Sequence, residues 1–252
     1  MGIARHPGAE LMTFDITVII EYFPKLLSGA WVTMELIALS LFVGIFIAVP
    51  LALMRVSKSM VLSKLSLAYI FFFRGTPLLI QIFLVYYGLS QFEAVRDSFM
   101  WQFLREPYIC AIIAFSMNTG GYTAEILRGA MQAVPLGEIE AARAIGMPSS
   151  LMFRRIIIPR AIRIGWPAYG NEIIFMIKGS ALASTITLLD LTGMARTVIA
   201  KTYAPVEIFL AAALIYLTII FVLIRILRFT EVRLNRYLTA RDDAANMGSV
   251  AR

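Results

Sequence analysis

Residues 140–159 read EAARAIGMPSSLMFRRIIIP, a polar stretch set between two apolar ones, and its reading decides the fold. Just ahead of it Pro135 supplies a fixed φ, and Glu138 and Glu140 bring negative charge to a first turn. Both favour the start of a short helix. Gly146 suits that helix's end, where a left-handed residue commonly stops the chain. Ala141, Ala142 and Ala144 give it little side-chain bulk, so another protein's surface can approach the backbone closely. Met147-Pro148 then turns the chain before residues 151–158 climb away to Pro159. A docking element on a loop is expected, and an ordinary amphipathic loop helix is the plainer alternative.

Outside that loop the chain is apolar. Of 252 residues 60% are hydrophobic and 15% charged, and mean hydropathy is +0.79, whereas soluble domains average about half apolar and a quarter charged. An integral membrane protein is implied. Cys110 is the single cysteine, which excludes an intramolecular disulfide, and His6 is the single histidine, which excludes a His-rich metal site. The net charge of +7 does not mark a nucleic-acid binder, because the basic residues border apolar segments and form no continuous stripe. Near the start, Arg5 is followed by Glu10 and Asp15 with no apolar core, unlike a cleaved signal. Residues 14–27 read as a short interfacial helix with Asp15, Glu21 and Lys25 on its wet side.

Five stretches are long enough to cross a bilayer, which takes about 20 helical residues: about 29–54, 65–90, 107–128, 164–189 and 206–227. None alternates with the period of two that a barrel strand requires. An all-α integral membrane protein with five transmembrane helices is expected. Arginine and lysine total 15 in the first and third loops and the C-terminal tail, against 6 in the alternate regions. The positive-inside rule then puts the N-terminus outside and the 135–160 loop in the cytoplasm. The expected organisation is a periplasmic segment 1–28, a transmembrane domain 29–230 and a cytoplasmic tail 231–252, disordered from about Asp242.

Polar groups interrupt three of the spans near mid-membrane. In the second, Pro77 cannot donate to the carbonyl of Phe73, and Gly75 beside Thr76 adds backbone freedom. Loosened backbone of this kind is tolerated only against protein or a wet cavity. The third span carries Asn118 ahead of Thr119, Gly120 and Gly121. In the fourth, Asn171 and Lys178 lie seven apart on one helical face, with Glu172 adjacent and Ser180 just beyond. An intramembrane lysine marks a site by default, with snorkelling as the alternative. Three such clusters at similar depth suggest one cavity. No G-x-x-x-x-G-K-[ST] stretch is present, so any ATP must be bound by another polypeptide.

The Glu-Ala-Ala, Gly146 and I-I-I-P spacing resembles the EAA loop of the membrane-spanning subunits of bacterial ABC importers, with Ile158 where leucine is commoner. RGTPLLIQ at 74–81, NTGGYTAEILRGAMQAVPLGEIEAARAIG at 118–146 and PAYGNEIIFMIKGSALASTITLLDLTG at 167–193 resemble the polar amino acid branch, and within it the histidine, octopine and nopaline permeases. That resemblance implies a type I importer bundle whose coupling helix, through Glu140, Ala141, Ala142, Gly146 and Pro159, docks on a separate ATPase. It implies a substrate site at Gly75, Thr76, Pro77, Asn118, Asn171, Lys178 and Ser180, with Gly179 standing where many relatives have an acid. The implied partners are a second permease subunit, a paralogue in preference to an identical copy, a dimer of ATP-binding subunits holding ATP and Mg, and a periplasmic amino acid-binding protein. An ion-coupled secondary amino acid transporter is the alternative; it needs coupling carboxylates and usually an internal repeat.

Overall fold

The computed structural model describes residues 14–250, with side chains as far as Asn235. Among them the regular structure is helical, with no strand. The absence of a cleaved signal, argued from Arg5 and Glu10, concerns residues outside that range.

Helix α1, Ile16–Val56, is capped by Asp15, whose carboxylate accepts from the Thr17 amide at 2.8 Å. Its 41 residues run without interruption. The interfacial helix expected at 14–27 is therefore not a separate element. Pro24 lies inside α1 but breaks nothing, because Leu26, Gly29 and Ala30 pack into the bundle and hold the helix on course.

The second expected span is broken. Helix α2, Met60–Gly75, and α3, Leu78–Phe83, meet at a 104° bend. A π-helical turn, Leu84–Gly88, extends α3, and two single-turn helices follow, α4 at Glu93–Arg96 and α5 at Trp101–Leu104. Helix α6, Pro107–Gln132, is the centre of the bundle, packed against α1, α2, α3 and the later helix Ile158–Gly179. Its closest approach is to α1, where a Cβ on Gly120 would lie 2.8 Å from Ile47 and Gly44 abuts Thr119. Small residues let membrane helices come this close.

The loop helix is α7, Leu136–Ala144, followed by α8, Ser149–Met152, and a π-helical turn, Phe153–Ile157, that leads into α9, Ile158–Gly179. A 3₁₀ turn, Ser180–Ile186, ends α9, and the chain bends by 49° into α10, Leu191–Thr202. Helix α11, Pro205–Val250, continues through the residues expected to be disordered from Asp242. Alanine and arginine in TARDDAAN favour helix there.

Among the described residues two helices, α1 and the Pro205–Asn235 part of α11, are long and apolar enough to cross a membrane, and counting each of the two bent pairs as one span raises this to four. Helix α6 falls outside that class because Ser116, Asn118, Thr119 and its glycines, which it turns to the neighbouring helices, make it less apolar. Outward surfaces carry Trp31, Phe46, Phe71, Leu217 and Phe221, as a protein solvated by lipid requires.

Candidate functional site

The α2–α3 break is built from its own orphaned backbone. Thr76 and Pro77 are extended, as the residue before a proline prefers, and the helical ladder stops where the Thr76 amide reaches the Phe72 carbonyl at 3.1 Å. The Phe73 carbonyl, deprived of its partner by Pro77, accepts from Gln81 Nε2 at 2.9 Å and Asn118 Nδ2 at 3.1 Å. Gln81 also donates to the carbonyl and hydroxyl oxygens of Thr76, at 3.0 and 2.7 Å, and its own oxygen accepts from Asn118 at 2.9 Å. Both amides are buried. The two N–H groups of Gln81 are shared among its three acceptors, and its oxygen takes one of the two N–H groups of Asn118.

This braced segment forms one wall of a cavity of about 700 Å³. Arg74, Gly75, Thr76 and Pro77 line it from the break, Asn118 and Tyr122 from α6, and Asn171, Glu172 and Phe175 from α9. Five of the residues expected at the substrate site are thus gathered around one space. Asn118 and Thr76 spend most of their hydrogen bonds on the break itself, which makes them braces as much as lining. Two expected residues are elsewhere. Lys178 is exposed in the last turn of α9, its Nζ 6.0 Å from the ring centroid of Phe175, one turn beyond the lining. Ser180 is buried and donates to the Ile177 carbonyl at 2.7 Å. The seven-residue spacing puts Lys178 on the face of Asn171, past the end of this lining.

The cavity also holds charges that were not assigned to it from the sequence. Glu172 is 7% exposed and belongs to the lining. Arg74 is exposed, its guanidinium 5.1 Å from the centre of the Tyr122 ring. The signal for both was available: Ala168, Asn171, Glu172 and Phe175 follow a three-to-four spacing on one face of α9, and Arg74 directly precedes Gly75. A second cavity, between α1 and α11, is lined by Ile19, Phe23, Trp31 and Leu214, and offers little to orient a polar solute.

At the loop, Gly146 has φ +74°. Its amide donates to the Arg143 carbonyl at 2.9 Å and the Met147 amide to the Ala142 carbonyl at 3.0 Å, a Schellman end for α7. Ala142 is buried beneath the helix, while Leu136 and Ile145 at its two ends are 72% and 77% exposed. Pro159 stands at the first turn of α9, just past the π-helical turn.

Residues 40–236 match the family described as binding-protein-dependent transport system inner membrane component. The chain belongs to this family. It is 50% identical over 228 residues to the nopaline transport system permease protein NocM of Agrobacterium fabrum, covering 90% of this chain and 95% of that protein. It is 41% identical over 226 residues to the histidine/lysine/arginine/ornithine transport system permease protein HisM of Escherichia coli K12, covering 86% and 95%. A crystal structure of an amino acid ABC transporter with histidines superimposes with a TM-score of 0.80 at 35% identity, over 88% of this chain and all of that one. The fold is that of a type I ABC permease, and this inner membrane component is a multi-pass membrane protein. Its membership also decides against the ion-coupled secondary transporter.

Proposed function

We propose that the chain is the transmembrane subunit of an ATP-driven importer that moves a polar or basic amino acid, of the histidine, arginine, lysine or ornithine type, or an opine derivative, from periplasm to cytoplasm. The observation that carries the reading is α7: a short helix on a loop, with Leu136 and Ile145 exposed at its two ends and alanines between them. Apolar side chains held out in this way call for a protein partner. The partner is a dimer of ATP-binding subunits, which hold ATP and Mg; α7, through Glu140, Ala141 and Gly146, seats on it, with Ala142 buried on the opposite side of the helix and Pro159 behind. A second permease subunit, a paralogue, closes the translocation path, and a periplasmic amino acid-binding protein delivers the solute. The N-terminus then lies in the periplasm and the 231–252 tail in the cytoplasm.

The cavity's charges refine the substrate reading. Arg74 offers a planar donor fork to a carboxylate, and Glu172 offers an acceptor to an ammonium, imidazolium or guanidinium group. Gly75, with open space around it, leaves backbone accessible beside them. With Lys178 and Ser180 outside the lining, recognition rests on Arg74, Asn171 and Glu172. Co-expression with the neighbouring transport genes tests the assembly: the ATPase must co-purify with the native chain and be lost with Gly146→Asp. In proteoliposomes, Glu172→Gln is expected to lower uptake of cationic amino acids more than that of neutral ones. Equal loss for both classes would remove Glu172 from side-chain recognition.

A further inference from the structure

Helix α7 is held to the bundle by little. Its chain connections run through Ala133 to Pro135 on one side and through Gly146 to Pro148 on the other, and no other helix packs extensively against it. Among the described residues one ion pair joins an α7 side chain to the bundle: Glu138 Oε1 to Arg160 Nη2, at 2.8 Å, with side-chain exposures of 37% and 20%. Arg160 Nε is buried without a hydrogen-bond partner, so Glu138 is what compensates this largely enclosed guanidinium.

Where Arg160 sits gives the pair its meaning. The covalent route from α7 to α9 passes through α8 and the π-helical turn at Phe153–Ile157, where the Ile158 amide reaches back to the Phe153 carbonyl. Wide turns of this kind, followed by a proline, are where helices bend. Arg160 lies beyond that soft segment, in the regular helix of α9. Glu172, on the cavity wall, is 12 residues further along the same helix, about 18 Å at 1.5 Å per residue.

We infer that the Glu138–Arg160 ion pair is the strut that delivers movement of α7 to the cavity wall on α9, bypassing the π-helical turn. Both are positioning residues for transport, and the inference rests on the reading of α7 as the ATPase-docking helix. When the ATPases close and carry α7 with them, the strut moves the base of α9, and the regular helix above it shifts Asn171 and Glu172 together. Without it, the same movement is absorbed in the segment between Gly146 and Ile157.

Charge exchange in the full complex, reconstituted with its ATPase and binding protein, provides the test. Glu138→Arg and Arg160→Glu are each expected to cut substrate uptake per ATP hydrolysed by about tenfold, the scale of an ordinary coupling energy. The ATPase should co-purify with both. The double exchange, Glu138→Arg with Arg160→Glu, should recover most of the native ratio. Native coupling in either single variant, or a double variant no better than the worse single, overturns the strut. Loss of the ATPase from the single variants overturns it too, by placing Glu138 in the docking surface. Failure of the native chain to hold the ATPase at all would instead defeat the docking reading beneath it.

Discussion

Pro77 and Pro159 remove the same thing from the same kind of helix, and the chain answers them in opposite ways. At Pro77 the helix stops and turns through 104°. At Pro159 it widens for one turn and continues, so that Ser149–Ile186 stays one unbroken helical run. The residue before each proline does not explain the contrast. Thr76 is extended as expected, but Ile158 stays helical with φ −61° and ψ −53°. What differs is the recipient of the freed carbonyl. Gln81 and Asn118 are waiting for Phe73, whereas the neighbours of Pro159 are mostly isoleucines and arginines, and the ladder adjusts internally by a five-residue bond. A proline in a membrane helix offers a break; buried carboxamides decide whether it is taken.

The largest expected effect follows from removing those carboxamides. Gln81→Leu keeps the bulk but strands the Thr76 carbonyl and one Asn118 N–H and leaves the Phe73 carbonyl to Asn118 alone, each unpaired buried group costing about 1–3 kcal/mol. Uptake should vanish, and the unfolding midpoint of the detergent-solubilised subunit should fall. Asn118→Leu, which leaves Gln81 on the Phe73 carbonyl, should do less. Native uptake by Gln81→Leu would show that the break stands without its braces.

Next in size is Gly146. An alanine at φ +74° costs roughly 1–2 kcal/mol, enough to loosen the end of α7. Gly146→Ala should therefore weaken ATPase retention on a column, while Gly129→Ala, in regular helix with open space at its Cβ, should leave it unchanged. Equal behaviour of the two would mean that the cap does not shape the docking helix.

These two regions also differ in how far the sequence reveals them. The loop's signals are local: Pro135 before the helix and Gly146 after it are next to what they act on, and each bounds the helix as its chemistry suggests. The cavity depends on residues far apart in sequence. Asn118 was legible as a polar group at depth, but nothing local says that it spends its amide on Phe73, 45 positions away. Gln81 was read only as part of a run of similarity, because Phe73 and Thr76 come within its reach only once the helix has broken at Pro77, and Asn118 only once α6 has packed against it. Lys178 shows the same limit in one dimension: helical periodicity fixes an angle around the axis but not which turn meets the cavity. Continuity is the third case, since α1 absorbs the segment expected to be interfacial without any change in its composition that a boundary would need.

Pro77→Ala sharpens the comparison at lower cost. It returns an N–H, yet the carbonyl that N–H would seek already holds two donors. The bend and most of the uptake should survive. Cysteine cross-linking between positions 73 and 121, where a Cβ on Gly121 would lie 3.4 Å from that of Phe73, reads this directly in the Pro77→Ala background: native efficiency means that the braces hold the break, and loss of the cross-link means that proline alone made it.

The smallest effect is expected at Lys178, and it is the one that tests where the cavity ends. Its ammonium is exposed and reaches Phe175, a lining residue, at the outer limit of a cation–π contact. Such a contact at an exposed site is worth about 0.5–1 kcal/mol, and methionine keeps the stem while offering sulfur to the ring in compensation. Lys178→Met should therefore raise the KM for uptake by no more than about fivefold and leave the maximal rate alone. Phe175→Ala, which removes the ring from the wall, should do more. The reverse order, with Lys178→Met abolishing uptake while Phe175→Ala is tolerated, would mean that in the assembled pair of permeases the lysine reaches the solute itself, and that a wall drawn from one chain is missing a charge supplied at its rim.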